Sequence, residues 1–224
     1  MRNAVRFAPN AIAASVAAFA VLIGLAMKAY PGGTEWDPTA QGHRFWLNYV
    51  CDLARRTALD GMSNAVGARL AQVALLVLGA GALLHWWSSP LLFRERSRLG
   101  TVVRALGSFS VVGMFAVALL PADRFAGVHP FVMALSGGPG LAAAACAAVG
   151  LASKERLAFG VGAAGLIVSA LDLALYAGQL AGHDAGPLVA ILERIALLVE
   201  LAWMCVIAWR LRRAFQASPS SSSL

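Results

Sequence analysis

"AVGARLAQVALLVLGAGALLHWW", residues 65–87, decides the fold. It carries one formal charge, Arg69, near its start. A helix rises about 1.5 Å per residue, so a run of this length reaches across the roughly 30 Å hydrocarbon core of a bilayer. Working outward, five more runs have the same character: 10–30, 102–121, 131–152, 157–178 and 188–209. The expected architecture is therefore all-α, a polytopic integral membrane protein built as one six-helix transmembrane domain over residues 1–213.

Composition agrees. The chain is 59% hydrophobic and only 13% charged, with mean hydropathy +0.71, whereas soluble domains carry about 25% charged residues. A net charge of +7 raises the idea of nucleic acid, but the basic residues flank apolar runs, which is the pattern of membrane orientation. No nucleic-acid partner is expected. The first run is too long for the hydrophobic region of a signal peptide, and Lys28 interrupts a small-residue cleavage pattern, so it reads as an uncleaved span.

Arg2 and Arg6, the cluster Arg94, Arg96, Arg98 and Arg104, the pair Lys154 and Arg156, and Arg210, Arg212 and Arg213 all fall on one side if six spans are real. The positive-inside rule puts that side, and both termini, in the cytoplasm. The tail 214–224, ending "QASPSSSSL", is expected to be disordered. Residues 31–63 then form an outward-facing loop. Long connections in compact domains are often functional. Within it, "GHRFWLNYVCDLARR" (42–56) spaces Phe45, Trp46, Tyr49, Val50 and Leu53 as a helix would, which predicts a short interfacial helix with Arg44, Asn48 and Asp52 on one face. Cys51 has no cysteine partner on its side and reads as a packed thiol.

Polar residues inside spans are costly and face a bundle interior or a wet cavity. Asn64 and Arg69 open the second span. Gly165, Ser169, Asp172 and Tyr176 form a stripe on the fifth, and Glu193, Arg194 and Glu200 lie on the sixth. Arg69 is expected to pair with Asp172 or Glu193 inside the bundle. In "HPFVMALSGGPGLAAAAC" (129–146), His129, Ser136 and Gly140 share a face. "SGGPG" suits either a close helix contact or a cavity lining. His85, in "LLHWW", reads as an interfacial residue among aromatic anchors.

Three histidines, His43, His129 and His183, belong to the outward side. Either they converge as zinc ligands, with Asp52, Asp123 or Asp184 completing the shell, or they serve separate structural roles. No HExxH, GxSxG or phosphate-binding loop occurs.

Three stretches carry a family resemblance: "YPGGTEWDP" (30–38), "SNAVGARL" (63–70) and "LLPADRFAGVHP" (119–130). They resemble the bacterial six-span membrane family called domain of unknown function 998, of the Frag1/DRAM/Sfk1-like type, over roughly residues 10–210. The resemblance implies a six-span topology without an established chemistry, and gives weight to Pro31, Asn64, Pro121, Asp123 and His129. The family's first loop is shorter and has a serine-containing S-x-L segment, where this chain has "LNYVCDL". "FWLNYVCDL" followed by "SNAVG" is also similar to the alkaline ceramidase-like hydrolases of the CREST group, which implies zinc held by His, Asp and Ser. The paired HxxxH of that group is absent.

Two functions follow. One is a binding protein whose outward polar pocket, with Asn48, Asn64, Arg69, Ser136, Asp172, Glu193 and Glu200, takes a lipid, a small molecule or a partner membrane subunit. The other is a metal-dependent hydrolase or transferase acting on a lipid-linked amide or ester. There zinc would sit on His43, His129 and His183, with Asp52 and Asp123 as catalytic groups.

Overall fold

The computed structural model of the chain describes residues 2–217. Among them are six α-helices: α1 (Arg2–Ala29), α2 (Ala65–Ser88), α3 (Ser97–Leu119), α4 (His129–Leu151), α5 (Arg156–Leu180) and α6 (Leu188–Ala217). The only extended pairings among the described residues are two isolated bridges, Gly32 with Gln41 and Thr57 with Ser63. The helices α1 to α5 are long and apolar enough to cross a membrane. The sixth helix is the longest, at 30 residues, but places Glu193, Arg194 and Glu200 in its first half. The helices α2, α4 and α5 cover the apolar runs 65–87, 131–152 and 157–178 to within a residue or two. Helix α1 starts earlier than 10, and α6 runs on to Ala217, so residues 214–217 of the expected disordered tail are helical. Residues 218–224 lie outside the described residues.

Each helix packs on the next, and α1 also packs on α6, which closes a ring. Helix α2 touches α6 as well. Small residues set how closely the helices approach, as they do where lipid supplies no hydrophobic drive between helices. A Cβ at Gly81 of α2 would overlap the Ser15 side chain of α1, one at Gly107 of α3 the Trp86 ring, and one at Gly150 of α4 the Phe93 ring. Gly113 of α3 lies against the backbone of Leu135 and Ser136, where the Ser110 hydroxyl donates to the Ser136 carbonyl at 2.7 Å. Part of "SGGPG" thus serves the close contact, while Ser136, Gly137 and Gly140 also face a cavity. Helix α4 continues through Pro139.

The loop between α1 and α2 corrects the sequence expectation. Residues 42–56 form no α-helix; they make turns that end in a single 3-10 turn, Cys51–Ala54. The reason is local competition for backbone groups. Asn48 Oδ1 accepts the Arg44 amide at 2.9 Å, and its Nδ2 donates to the Gly33 carbonyl at 2.8 Å. Asp52 Oδ2 accepts the Tyr49 amide at 2.9 Å and Asn48 Nδ2 at 3.3 Å. Asn48 is 0% exposed, the polar centre of an ordered loop. Gly33 makes that centre possible: its φ of +84° suits glycine, and a Cβ would strike the backbone of Leu59 and Asp60. The Tyr30 hydroxyl accepts the Leu59 amide at 3.2 Å, and burial pushes its pKa up to about 12.

Candidate functional site

A cavity of about 830 Å³ lies among α2 to α6. Its walls come from α2 to α6, and one end is covered by Glu35, Tyr49, Val50, Cys51, Asp52, Arg55 and Leu59 of the loop. None of the described side chains of α1 lines it. Helix α1 therefore packs outside the enclosure made by the other five.

The walls differ in chemistry. On α2, α3 and α4 the lining is mostly apolar, with Leu75, Leu78, Met114, Val117, Met133 and Leu141 among it. On α5 and α6 it is polar at helical spacing: Ser169, Asp172 and Tyr176 on one helix, Glu193 and Glu200 on the other. Positions three, four and seven apart stack on one helix face, so both stripes point the same way along their length. The Ser169 hydroxyl donates to Glu200 Oε1 at 3.0 Å. Oδ1 of Asp172 is buried without a hydrogen-bond partner among the described residues.

Three contacts tie the loop to this polar wall. The Tyr49 hydroxyl donates to Gln179 Oε1 at 2.9 Å, and the Val50 amide donates to Glu193 Oε2 at 2.9 Å. Arg194, only 1% exposed, donates from Nε to the Phe45 carbonyl at 3.0 Å and from Nη2 to the Asn48 carbonyl at 2.8 Å. Its guanidinium also stands 5.1 Å from the Phe45 ring centre, within cation–π range. Hydrogen bonds from a cation to buried carbonyls are stronger than neutral ones. Arg194 is the anchor of the loop.

The expected partner of the acidic groups, Arg69, is elsewhere. It is exposed on the outer face of α2 and makes no hydrogen bond or ion pair among the described residues. One turn into the helix, its long side chain can reach the end of the bundle without crossing hydrophobic depth. Asn64 is 2% exposed but does not line the cavity. It donates to the Leu53 and Arg55 carbonyls at 3.0 and 2.9 Å and closes the turn that starts α2. Asp123 likewise holds backbone: its Oδ2 accepts the Arg56 and Thr57 amides at 2.9 and 3.1 Å.

The three histidines do not form a cluster. Among the described residues, no three His, Cys, Asp or Glu side chains are grouped so as to hold a metal ion. His43 packs edge-on against Tyr30, ring centres 5.8 Å apart. Burial, with the nearby charge of Arg194, lowers its pKa to about 4, so it is neutral at physiological pH. His129 lines the cavity, with Nδ1 2.8 Å from the Leu120 carbonyl. His183 is exposed, and its Nδ1 is 3.3 Å from the Gly178 carbonyl. Asp184 Oδ1 accepts the Gly186 amide at 2.7 Å in the same turn.

Asp52 lines the cavity, and burial raises its pKa to about 6. Cys51 lines it too, and burial holds its thiol well above the usual range, in the unreactive protonated form.

Sequence reasoning missed the far end of the cavity. His85, expected at the membrane boundary, is 1% exposed. Its ring sits 4.9 Å from Trp86 and 4.8 Å from Trp203, and neither ring nitrogen has a partner among the described residues. The available signal was spacing: Glu193, Glu200 and Trp203 recur on one face of α6, and Trp203 lies over Gly162 of α5.

These features define a class: an all-helical bundle of membrane-spanning character that encloses a ligand-sized cavity with one acidic wall. Compared with known proteins, the chain matches no family model, no curated protein and no solved structure.

Proposed function

We propose that the chain is a six-span protein of a bacterial inner membrane whose cavity binds an amphipathic, lipid-like molecule. The observation that carries the reading is the cavity's division into an apolar wall on α2, α3 and α4 and a polar wall on α5 and α6. Its volume lies within the roughly 300–1,000 Å³ of small-molecule sites, and an occupant must satisfy both walls at once. Helix α6 counts as the sixth span in this reading. At about 1.5 Å per residue its 30 residues exceed the bilayer core, and Arg194 is turned inward. Both termini are then cytoplasmic and residues 31–63 translocated, as the basic residues argue. The likeness to the six-span family is part of the same proposal and concerns topology alone. A hydrolase reading lacks support in the arrangement: the histidines are dispersed, and Asp123 is engaged with backbone amides.

Gly137 offers a clean test. It lines the cavity, and a Cβ there would meet only Leu173 Cδ1 at 3.8 Å, an ordinary contact. Gly137→Leu should fill the space while preserving the fold. Native mass spectrometry of protein released from nanodiscs should show a lipid-sized adduct on wild type and a several-fold smaller fraction on the variant. Equal adducts on both would defeat the reading. For topology, a single cysteine at Thr39 in a cysteine-free background should react with an impermeant thiol reagent on intact cells; reaction only after permeabilisation would reverse the orientation.

A further inference from the structure

We propose that the occupant is a cationic amphiphile, an organic ammonium with an apolar body, whose head is held by Asp172, Glu193 and Glu200. This rests on the reading of the cavity as a ligand site and names the chemistry of its occupant.

The first observation is the charge of the lining. Five carboxylates face the cavity (Glu35, Asp52, Asp172, Glu193 and Glu200), against one guanidinium, Arg55. None of the five enters an ion pair among the described residues, whose two salt bridges join Lys154 to Glu95 and Arg210 to Glu155. Arg194, the neighbour of Glu193 in sequence, directs Nε and Nη2 to loop carbonyls. Asp52 is buried and Asp172 and Glu193 are half-buried, while Glu35 and Glu200 are more open; carboxylates withdrawn from water are strongly disfavoured unless a cation or a proton joins them. At the depth of α5 and α6 that cost is larger still.

The second observation is independent of the acids. His129 is 5% exposed and lines the same cavity. A carbonyl can only accept, so Nδ1, 2.8 Å from the Leu120 carbonyl, must carry the ring proton. That tautomer leaves Nε2 as a bare acceptor, and it is buried without a partner among the described residues. Asp52 adds a similar case. It is 5% exposed, both its hydrogen bonds fall on Oδ2, and Oδ1 has none. Buried acceptors without donors thus face the cavity from two separate elements: the start of α4 with His129 Nε2, and α5 with Asp172 Oδ1. A ligand that meets these two must bring N–H donors, as an ammonium does.

The third is the aromatic content. Tyr49, Tyr176, Trp86 and Trp203 all line the cavity, and ring faces attract organic cations while covering an apolar body. An anionic headgroup would meet five like charges, and a neutral alcohol would leave them uncompensated.

The experiment uses three probes with one tail: dodecylammonium, dodecanol and dodecanoate, each radiolabelled, bound to purified full-length protein in maltoside micelles at pH 7.5. Each is measured on wild type, on Gly137→Leu, and on the variant combining Asp172→Asn, Glu193→Gln and Glu200→Gln. Wild type should bind dodecylammonium at least ten-fold more tightly than either other probe. The amide variant should lose at least ten-fold for dodecylammonium and keep its affinity for dodecanol, which shows that the cavity itself persists. Should the amide variant fail to fold, the single change Glu200→Gln, which keeps the bond from Ser169, should lower the ammonium preference several-fold. If Gly137→Leu weakens binding but dodecanol or dodecanoate binds as well as dodecylammonium, the cationic proposal is overturned and the ligand site stands. If Gly137→Leu changes binding of none of the three, the site itself is lost.

Discussion

Helices α2 and α6 look alike in sequence: each is long and Ala/Leu-rich, and each carries an arginine within its first two turns. Their arginines have opposite fates. Arg69 of α2 is exposed on the outer face, while Arg194 of α6 is 1% exposed and bonded to the Phe45 and Asn48 carbonyls. Their other faces differ as well. Helix α2 presses Gly81 against Ser15 of α1 in a dry seam, whereas α6 turns Glu193, Glu200 and Trp203 toward a cavity. What a helix contains does not decide what it buries. The rotation of the helix about its axis, fixed by its neighbours, does.

The sharpest way to break this contrast is to remove each arginine. Arg194→Ala strands the buried Asn48 carbonyl and the partly buried Phe45 carbonyl and frees the loop, and should cost about 3–5 kcal/mol. Arg69→Ala should fall within about 0.5 kcal/mol of wild type, as exposed substitutions do. Thermal unfolding in detergent compares them, and equal losses would erase the distinction between the helices.

Packing gives a second, smaller contrast. Gly81→Leu forces a side chain into the α1–α2 seam and should destabilise by about 1–3 kcal/mol, while Gly137→Leu, which grows into open space, should leave the melting temperature nearly unchanged. A Gly137→Leu protein as unstable as Gly81→Leu would mean the cavity wall is as tightly packed as the seam.

The finest test concerns the loop that Arg194 holds. Burial raises Asp52 to about 6 from 3.8, so its contribution to stability is full below about pH 4 and fades as pH rises through 6. His43 is lowered to about 4 from 6.5, so its contribution is full above about pH 6.5 and fades as pH falls through 4. Between pH 4 and 6.5 the two slopes oppose. Asp52→Asn should expose the His43 slope, with stability lost on acidification. His43→Gln should expose the Asp52 slope, with stability lost as pH rises. Each change should be on the order of 1–3 kcal/mol across the window. Parallel slopes in the two variants would contradict the assignment.

The helices were legible because a bilayer-length apolar run has few alternatives. Ser136, Asp172, Glu193 and Glu200 were legible as cavity residues because polar groups at that depth need an interior. The loop was not. The helical spacing of Phe45, Trp46, Tyr49 and Leu53 is real, but Asn48 and Asp52 bind the backbone that a helix would need, and Gly33 brings a distant strand of chain to Asn48. Such pairings join residues far apart in sequence, such as Val50 and Glu193, and no local pattern announces them. The same holds for Arg69 against Arg194, and for His85, whose burial depends on Trp203 from another helix.

The contact between α1 and α6 has a consequence for the order of events during synthesis. The ring joins α1 to α6, so its closure waits until the ribosome has delivered all six of these helices. Until then α1 and α2 can pair through Gly81 and Ser15, but the acidic stripe of α5 has no facing helix, and the loop lacks its anchor. The arrival of Arg194 supplies both. Domains generally acquire structure in chain order as they emerge; in this protein the half-made bundle is a groove open on its most polar side, and α6 turns it into a vessel.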